Sequence, residues 1–351
     1  MIAACISPLH PFYKLASKTI ISLPHPLLIS LNTHTTIAQN SYIKKCEEEK
    51  KKMEEPKFII EASEAKSLTQ STNLTLTQLL PTIVKSAQPL ARVPISKFPV
   101  AAIGVGISGR IFIGINVEFP NLPFHHTIHA EQFLLTNLSH NKETQIQYLA
   151  VSAAPCGHCR QFLQEIRGAG DIPLLITSDP EKTAKNEFTS LSEFLSHPFG
   201  PHDLLPKHVP LLLEPRHNDL CFIEIEGPIT NSIKPHLKDA ALKAANESHA
   251  PYSDSPSGVA LLDSRGDVYK GSYMESAAYN PSMGPVQAAL VAFIVGAGDG
   301  AAEYGELVEA VLVEKEDAVV KQEDTARLLL RSIAPQCSFN VFLCTSNNKS
   351  N

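Results

Sequence analysis

Apolar residues recur in this chain with two periods, and the switches between them mark its elements. Between Ser63 and Leu90 the apolar positions Ala65, Leu68, Leu76, Leu79, Leu80 and Val84 fall at roughly helical spacing, with Pro81 interrupting, which predicts two short helices. The period then changes. Residues 100–105 and 110–115, separated by Ser108-Gly109, predict two strands joined by a tight turn. Phe133, Leu134 and Leu138 mark the buried side of a helix over 127–140, with Thr127 as its N-cap. The apolar run 148–153 predicts a buried strand, followed by a helix over about 157–168 and a further strand at 172–177. Strand and helix in alternation imply an α/β sandwich, in which ligand sites lie beyond the C-terminal ends of strands.

The second half echoes the first. Residues 198–215 are rich in Pro and His with little periodicity and read as a crossover; a helix over 237–245 follows. Laying Gly266-Asp267-Val268-Tyr269-Lys270-Gly271-Ser272-Tyr273-Met274-Glu275 on residues 109–118 matches both glycines, the alternating apolar positions and the final Glu without a gap. Extending that register sets Val286, Gln287 and Ala288 against His129, Ala130 and Glu131. The strand around Val311-Leu312-Val313 would match Ala150-Val151, no cysteine lies between it and Ala334, and a last strand occupies 339–342. A duplicated fold that keeps its core and loses its polar residues has become scaffold.

Composition narrows the class of ligand. A chain of 351 residues, 43% of them hydrophobic, has material for two cores. A formal net charge of -6 gives no basic footprint for phosphate backbones and argues against nucleic acid as partner. Seven cysteines, odd in number and without framework spacing, point to a reducing compartment, and no run of about eighteen apolar residues would span a membrane. Residues 1–46 contain no Asp or Glu, and a dense charge run follows over 47–52. Residues 1–52 are expected to be disordered, either as a transit-like leader or as an extension upstream of a start at Met53; the run 44–52 reads as a solvated segment.

The chemistry concentrates in His129-Ala130-Glu131 and Pro155-Cys156-Gly157-His158-Cys159-Arg160. Positions i and i+3 share a helix face, so Cys156 and Cys159 can bite one ion from a first turn, whereas His129 and Glu131 can both approach it only from an opening turn. His129, Cys156 and Cys159 fill three of zinc's four tetrahedral positions, which describes a catalytic rather than a structural site. Two helix N-termini would then meet at the metal and favour thiolate and carboxylate. Blander readings stand beside these: chance plus a buried His for the motif, a surface ion pair for Arg160, core packing for Phe98, and a turn pair for Asn116 and Glu118. His125, His126 and His158 read as loop or structural histidines, since three ligands are already present.

This H-x-E then P-C-x-x-C pattern resembles that of the zinc nucleobase deaminases. From about Phe58 to Phe342 the chain is similar to the cytidine deaminases, in their two-domain, homodimeric form found in bacteria and plants. The most specific stretches are residues 95–98, 114–119, 129–132, 154–162 and Met274-Glu275-Ser276-Ala277-Ala278-Tyr279-Asn280-Pro281. The resemblance implies two three-layer α/β/α domains: a catalytic zinc domain over 53–195, a crossover over 196–235 and a degenerate, zinc-free copy over 236–345. It implies one Zn2+ per subunit and hydrolysis of cytidine and 2'-deoxycytidine to uridine and ammonia in pyrimidine salvage, with Glu131 as proton shuttle and Arg160 beside the thiolates. It also assigns Phe98 to stack on the pyrimidine, Asn116 and Glu118 to the ribose hydroxyls, and the Ala130 backbone to the base. Phe199, Ala278 and Tyr279 of one subunit would close the other's site, with Tyr279 where a Phe is common. The implied location is the cytoplasm, or a plastid or mitochondrion if residues 1–52 are a leader. A polynucleotide or tRNA deaminase with the same zinc chemistry is the alternative. A purely structural zinc protein would want a fourth ligand where this chain keeps Glu131.

Overall fold

Residues 57–223, 234–297 and 302–346 are described by a computed structural model; the expected leader, residues 1–52, lies outside them. The alternating stretches of the first half form one mixed sheet from β1 (Ile59–Ile60), β2 (Ala101–Gly106), β3 (Ile111–Ile115), β4 (Ile146–Val151), β5 (Pro173–Ile176) and β6 (Thr189–Ser190), in the order β1-β3-β2-β4-β5-β6. The hairpin β2–β3 turns at Gly109, whose φ of 80° a residue with a Cβ rarely adopts. β4 runs antiparallel to β2 and parallel to β5, so the chain leaving β4 must cross over, and it does so through the segment that carries the cysteines.

Helices α1 (Ala62–Thr72) and α2 (Leu76–Ala87) occupy the first predicted helical stretch. Their break is not at Pro81, which lies inside α2; it is set by Asn73, at φ 56°, and by a capping box in which Thr75 and Gln78 satisfy each other's backbone N–H. Helix α3 (Ala130–His140) starts two residues later than an N-cap at Thr127 would place it. Ile128 pairs with Val117 as an isolated bridge, which holds the chain extended until His129, while Thr127 closes the single 3-10 turn Phe124–His126. Helix α4 (Gly157–Phe162) is shorter than expected and passes into a 3-10 turn at Leu163–Glu165.

The second sheet contains β7 (Leu220–Phe222), β8 (Ser257–Asp263), β9 (Val268–Ser272), β10 (Leu307–Lys315) and β11 (Ser338–Ser346), in the order β7-β11-β10-β8-β9. The run β9-β8-β10-β11 repeats β3-β2-β4-β5 in order and in strand sense. Helices α5 (Pro235–Asn246), α6 (Pro285–Gly296) and α7 (Glu323–Ile333) complete it. A Cβ on Gly258 would strike α5 and one on Gly271 would strike α6; because Gly271 pairs with Val259, the two helices lie on opposite faces. This is the three-layer α/β/α arrangement. The end of the crossover belongs to this half, since β7 pairs with β11; residues 224–233 lie outside the described set.

The gapless register does not survive beyond the strands. Val117 bridges Ile128 in the first half and Met274 bridges Met283 in the second, 11 steps against 9, so the second copy has two residues fewer before its helix. The counterparts of His129, Glu131 and Gln132 are therefore Gly284, Val286 and Gln287, not Val286, Ala288 and their neighbour.

One apolar core runs through both halves, with α3 packed on α6. Residues 285–291, 293 and 294 of α6 are buried, as expected of a helix apolar all round. Phe133 stacks on Phe58 at 5.4 Å and is fully buried, and each such ring contributes roughly 1.5–3 kcal/mol of burial. Among the described residues no helix is long and apolar enough to cross a membrane.

Candidate zinc and substrate site

His129 and Cys156 are the N-caps of α3 and α4, and Cys159 lies one turn into α4. Their donor atoms converge: His129 Nδ1 is 3.5 Å from Cys156 Sγ and 3.3 Å from Cys159 Sγ, and the sulfurs are 3.7 Å apart. A tetrahedral zinc with Zn–S near 2.3 and Zn–N near 2.0 Å requires edges of about 3.8 Å between sulfurs and about 3.5 Å between sulfur and nitrogen. The donor set therefore fits zinc without rearrangement, and it is the group of three such ligands found among the described residues. Glu131 stands beside it, 4% exposed, with Oε2 accepting from Cys159 Sγ at 3.1 Å.

Electrostatics follow from this crowding. The Cys159 and His129 contacts pull the Cys156 thiol down to about 3, and the same Cys156 contact, with burial, pushes Cys159 up. Burial raises the Glu131 carboxyl, opposed by its bond from Cys159. Contact with Cys156 raises His129.

The donors open on a cavity of about 260 Å³ lined by Phe98, Asn116, Glu118, Thr127, Ala130 and Glu131 among others, near the small end of ligand pockets. Phe98 is 60% exposed, so core packing does not account for it. Asn116 Oδ1 accepts from Val100 N at 2.9 Å and its Nδ2 donates to the Phe98 carbonyl at 3.0 Å, which fixes the amide's orientation. Glu118 Oε2 accepts from Ile95 N at 2.8 Å and Ser96 N at 3.0 Å; although burial opposes it, these bonds hold its carboxyl below the usual range. Arg160 reaches no thiolate and no carboxylate among the described residues. Its Nε donates to the Pro155 carbonyl at 2.7 Å and its Nη1 to the Phe194 carbonyl at 2.8 Å, which ties the turn before Cys156 to the short helix Leu191–Phe194. Phe199 and Tyr279 are exposed, and with Ala278 they lie outside the lining of their own chain's cavity.

Sequence reasoning missed Gln132. Its Oε1 accepts from His129 N at 3.2 Å, and its Nε2 donates to the Pro281 carbonyl at 3.0 Å and meets His158 Nε2 at 3.2 Å. His158 in turn stacks on His129 at 5.0 Å, while His125 and His126 contact each other at a tilt. Glu165 was missed too. Fully buried after α4, it accepts from Ala277 N at 2.7 Å, Tyr252 Oη at 2.7 Å and His249 Nε2 at 3.2 Å, all in the second half. No spacing rule marks a residue whose partners lie about a hundred positions away.

The second copy shows what the site becomes without its chemistry. Tyr273 replaces Asn116, and its hydroxyl faces Ser282 and Gln322, the N-cap of α7 as Cys156 is the N-cap of α4; burial, with Glu275, pushes the phenol up to about 12. Glu275 still accepts from Tyr252 N and Ser253 N, as Glu118 does from Ile95 and Ser96. That carboxylate therefore has a loop-holding role independent of any substrate.

Fold and donor set together define a zinc-dependent enzyme site on an α/β/α scaffold. Two models of the "Cytidine and deoxycytidylate deaminase zinc-binding region" match residues 75–175 and 191–327. The chain is 56% identical to cytidine deaminase 1 of Arabidopsis thaliana over 83% of this chain and 99% of that one, and 50% identical to cytidine deaminase 6 of the same plant over 77% and 93%. Among solved structures, cytidine deaminase from Mycobacterium tuberculosis matches with 28% identity and a TM-score of 0.30, covering 34% of this chain and 94% of that one. This chain belongs to the cytidine deaminase family, as a two-domain, plant-type member that uses zinc.

Proposed function

We propose that the protein hydrolyses cytidine, and 2'-deoxycytidine as well, to uridine or deoxyuridine and ammonia, in pyrimidine salvage in the cytoplasm. The carrying observation is a buried carboxylate, Glu131, beside three donors with the edges of a tetrahedral zinc, all opening on one small cavity. Zinc held by His129, Cys156 and Cys159 supplies a Lewis acid that makes water nucleophilic near neutral pH. Glu131 takes the proton of the attacking water and gives it to the pyrimidine N3 as oxygen bonds to C4. It then carries the second proton to the exocyclic amine, the C4–N bond breaks and ammonia leaves. Its raised pKa suits a group that must hold and release a proton in turn.

Phe98 offers its exposed face to the base, the Ala130 backbone reads the base edge, and Asn116 with Glu118 receives the ribose hydroxyls. Residues 53–195 are the catalytic domain, 196–235 the crossover and 236–345 the zinc-free copy. Two chains associate so that Phe199, Ala278 and Tyr279 of each cover the other's cavity. The exposure of Phe199 and Tyr279 supports this arrangement.

The test compares cytidine, deoxycytidine and a cytosine-containing oligonucleotide by ultraviolet absorbance. Loss of the two nucleosides alone is expected; conversion of the oligonucleotide alone would replace this reading with a polynucleotide deaminase.

A further inference from the structure

A second cavity, of about 170 Å³, shares no lining residue with the first. It lies where the C-terminal end of α3 meets the crossover and the segment after α5, with Ser139 and His140 on one side, Leu212 to Arg216 on another and Glu247 on a third. Its carboxylates are already matched. Glu214 is held by Arg167 Nη2 at 2.8 Å, and Glu247 accepts from Lys142 Nζ at 3.1 Å and Lys270 Nζ at 2.7 Å.

Arg216 feels the charge of Glu214 but makes no direct ion pair with it. Its Nη1 and Nη2 donate to the carbonyls of Leu212 and Leu211, and among the described residues no carboxylate stands within ion-pair distance of it. Beside it, Nε2 of His140 is buried with no hydrogen-bond partner among the described residues. A sheltered guanidinium whose neighbouring carboxylate, Glu214, is already held by another arginine is left under-compensated, and its planar fork matches an oxyanion; a neutral imidazole with its proton on Nε2 adds a donor. With Lys142 and Lys270 nearby, the positive charges outnumber the two neutralised carboxylates.

We propose that this cavity binds a phosphate-class oxyanion through Arg216 and His140, with Lys142 at its mouth, and that the bound anion clamps the end of α3 to the crossover and the second half. The volume takes a phosphate group but not the base and sugar of a nucleotide as well. The occupant is therefore free phosphate or the phosphate end of a monoester whose remainder stays outside.

The experiment is calorimetric titration of the full-length, zinc-loaded protein with inorganic phosphate and, separately, methyl phosphate at constant ionic strength, with melting temperature followed in parallel. One site per chain and a raised melting temperature are expected, and Arg216→Met should weaken binding by about tenfold or more, as for loss of a charge-assisted bond. Whichever of the two ligands binds more tightly identifies the source, and either result sustains the site. Since Arg216 also holds two backbone carbonyls, Lys142→Met serves where Arg216→Met does not fold, and it should weaken binding severalfold. Absence of heat at tens of millimolar phosphate would overturn the proposal. So would an equal stabilisation of wild type and variants, which is the general effect of phosphate on folding and marks an adventitious ion only.

Discussion

In the proposed reaction single residues divide the work at the site: His129, Cys156 and Cys159 hold the metal, and Glu131 moves protons. Glu131→Gln keeps the shape of the side chain and all three donors, so zinc content should stay at the wild-type level while turnover falls by about 10²–10⁴, the usual contribution of a positioned acid/base; near-normal turnover would remove Glu131 from the mechanism. Cys156→Ala should lose metal and activity together, and a variant that still holds stoichiometric zinc would contradict the donor set. These residues were legible because a metal motif is local: a cap, a helical turn and residue type suffice. Arg160 was legible only as an arginine beside cysteines, and its bond to Phe194 depends on a short helix that no motif places next to it. Asn116 and Glu118 were legible as a polar pair, but their grip on the 95–100 loop appears only in three dimensions.

Between elements, close approach of helix to strand fixes where the ligands stand. A Cβ at Gly114 would collide with the Ala130 carbonyl oxygen and the Leu134 backbone, at the turn that carries His129 and Glu131. Gly114→Ala should therefore cost about 1–3 kcal/mol by overpacking and weaken zinc binding with it, whereas Gly271→Ala, at the equivalent contact with α6, should lower the melting temperature with zinc retained. Equal zinc loss in both would refute the local argument. Glu165→Leu leaves the Ala277 amide, the Tyr252 hydroxyl and His249 without their acceptor, and should destabilise by about 1–3 kcal/mol for each donor left unpaired, read in denaturant midpoints. The main strands along the chain and the duplication could be read from apolar runs and alternation; the order of strands in the sheets could not. The two-residue deletion was misread because loop length leaves no periodic trace, although the shared Gln132 and Gln287, each three residues past a helix N-cap, carried the signal.

For the molecule as a whole, the two halves share one core, and two histidines sit neutral at their junction. Burial, helped by Lys270, lowers His140 to about 4, and burial lowers His249 despite its bond to Glu165. Both bind their proton more readily in the unfolded chain, near pH 6.5. The unfolded state therefore takes up protons first as pH falls, and stability should decline from about pH 6.5 toward pH 4, with His140→Phe shallowing the slope in melting curves; an unchanged slope would place the titration elsewhere. The central claim concerns one cation between two helix N-termini. Elemental analysis of the purified, active protein is its most direct measurement: one zinc per chain is the predicted result, and full cytidine turnover by protein without a bound metal would contradict it.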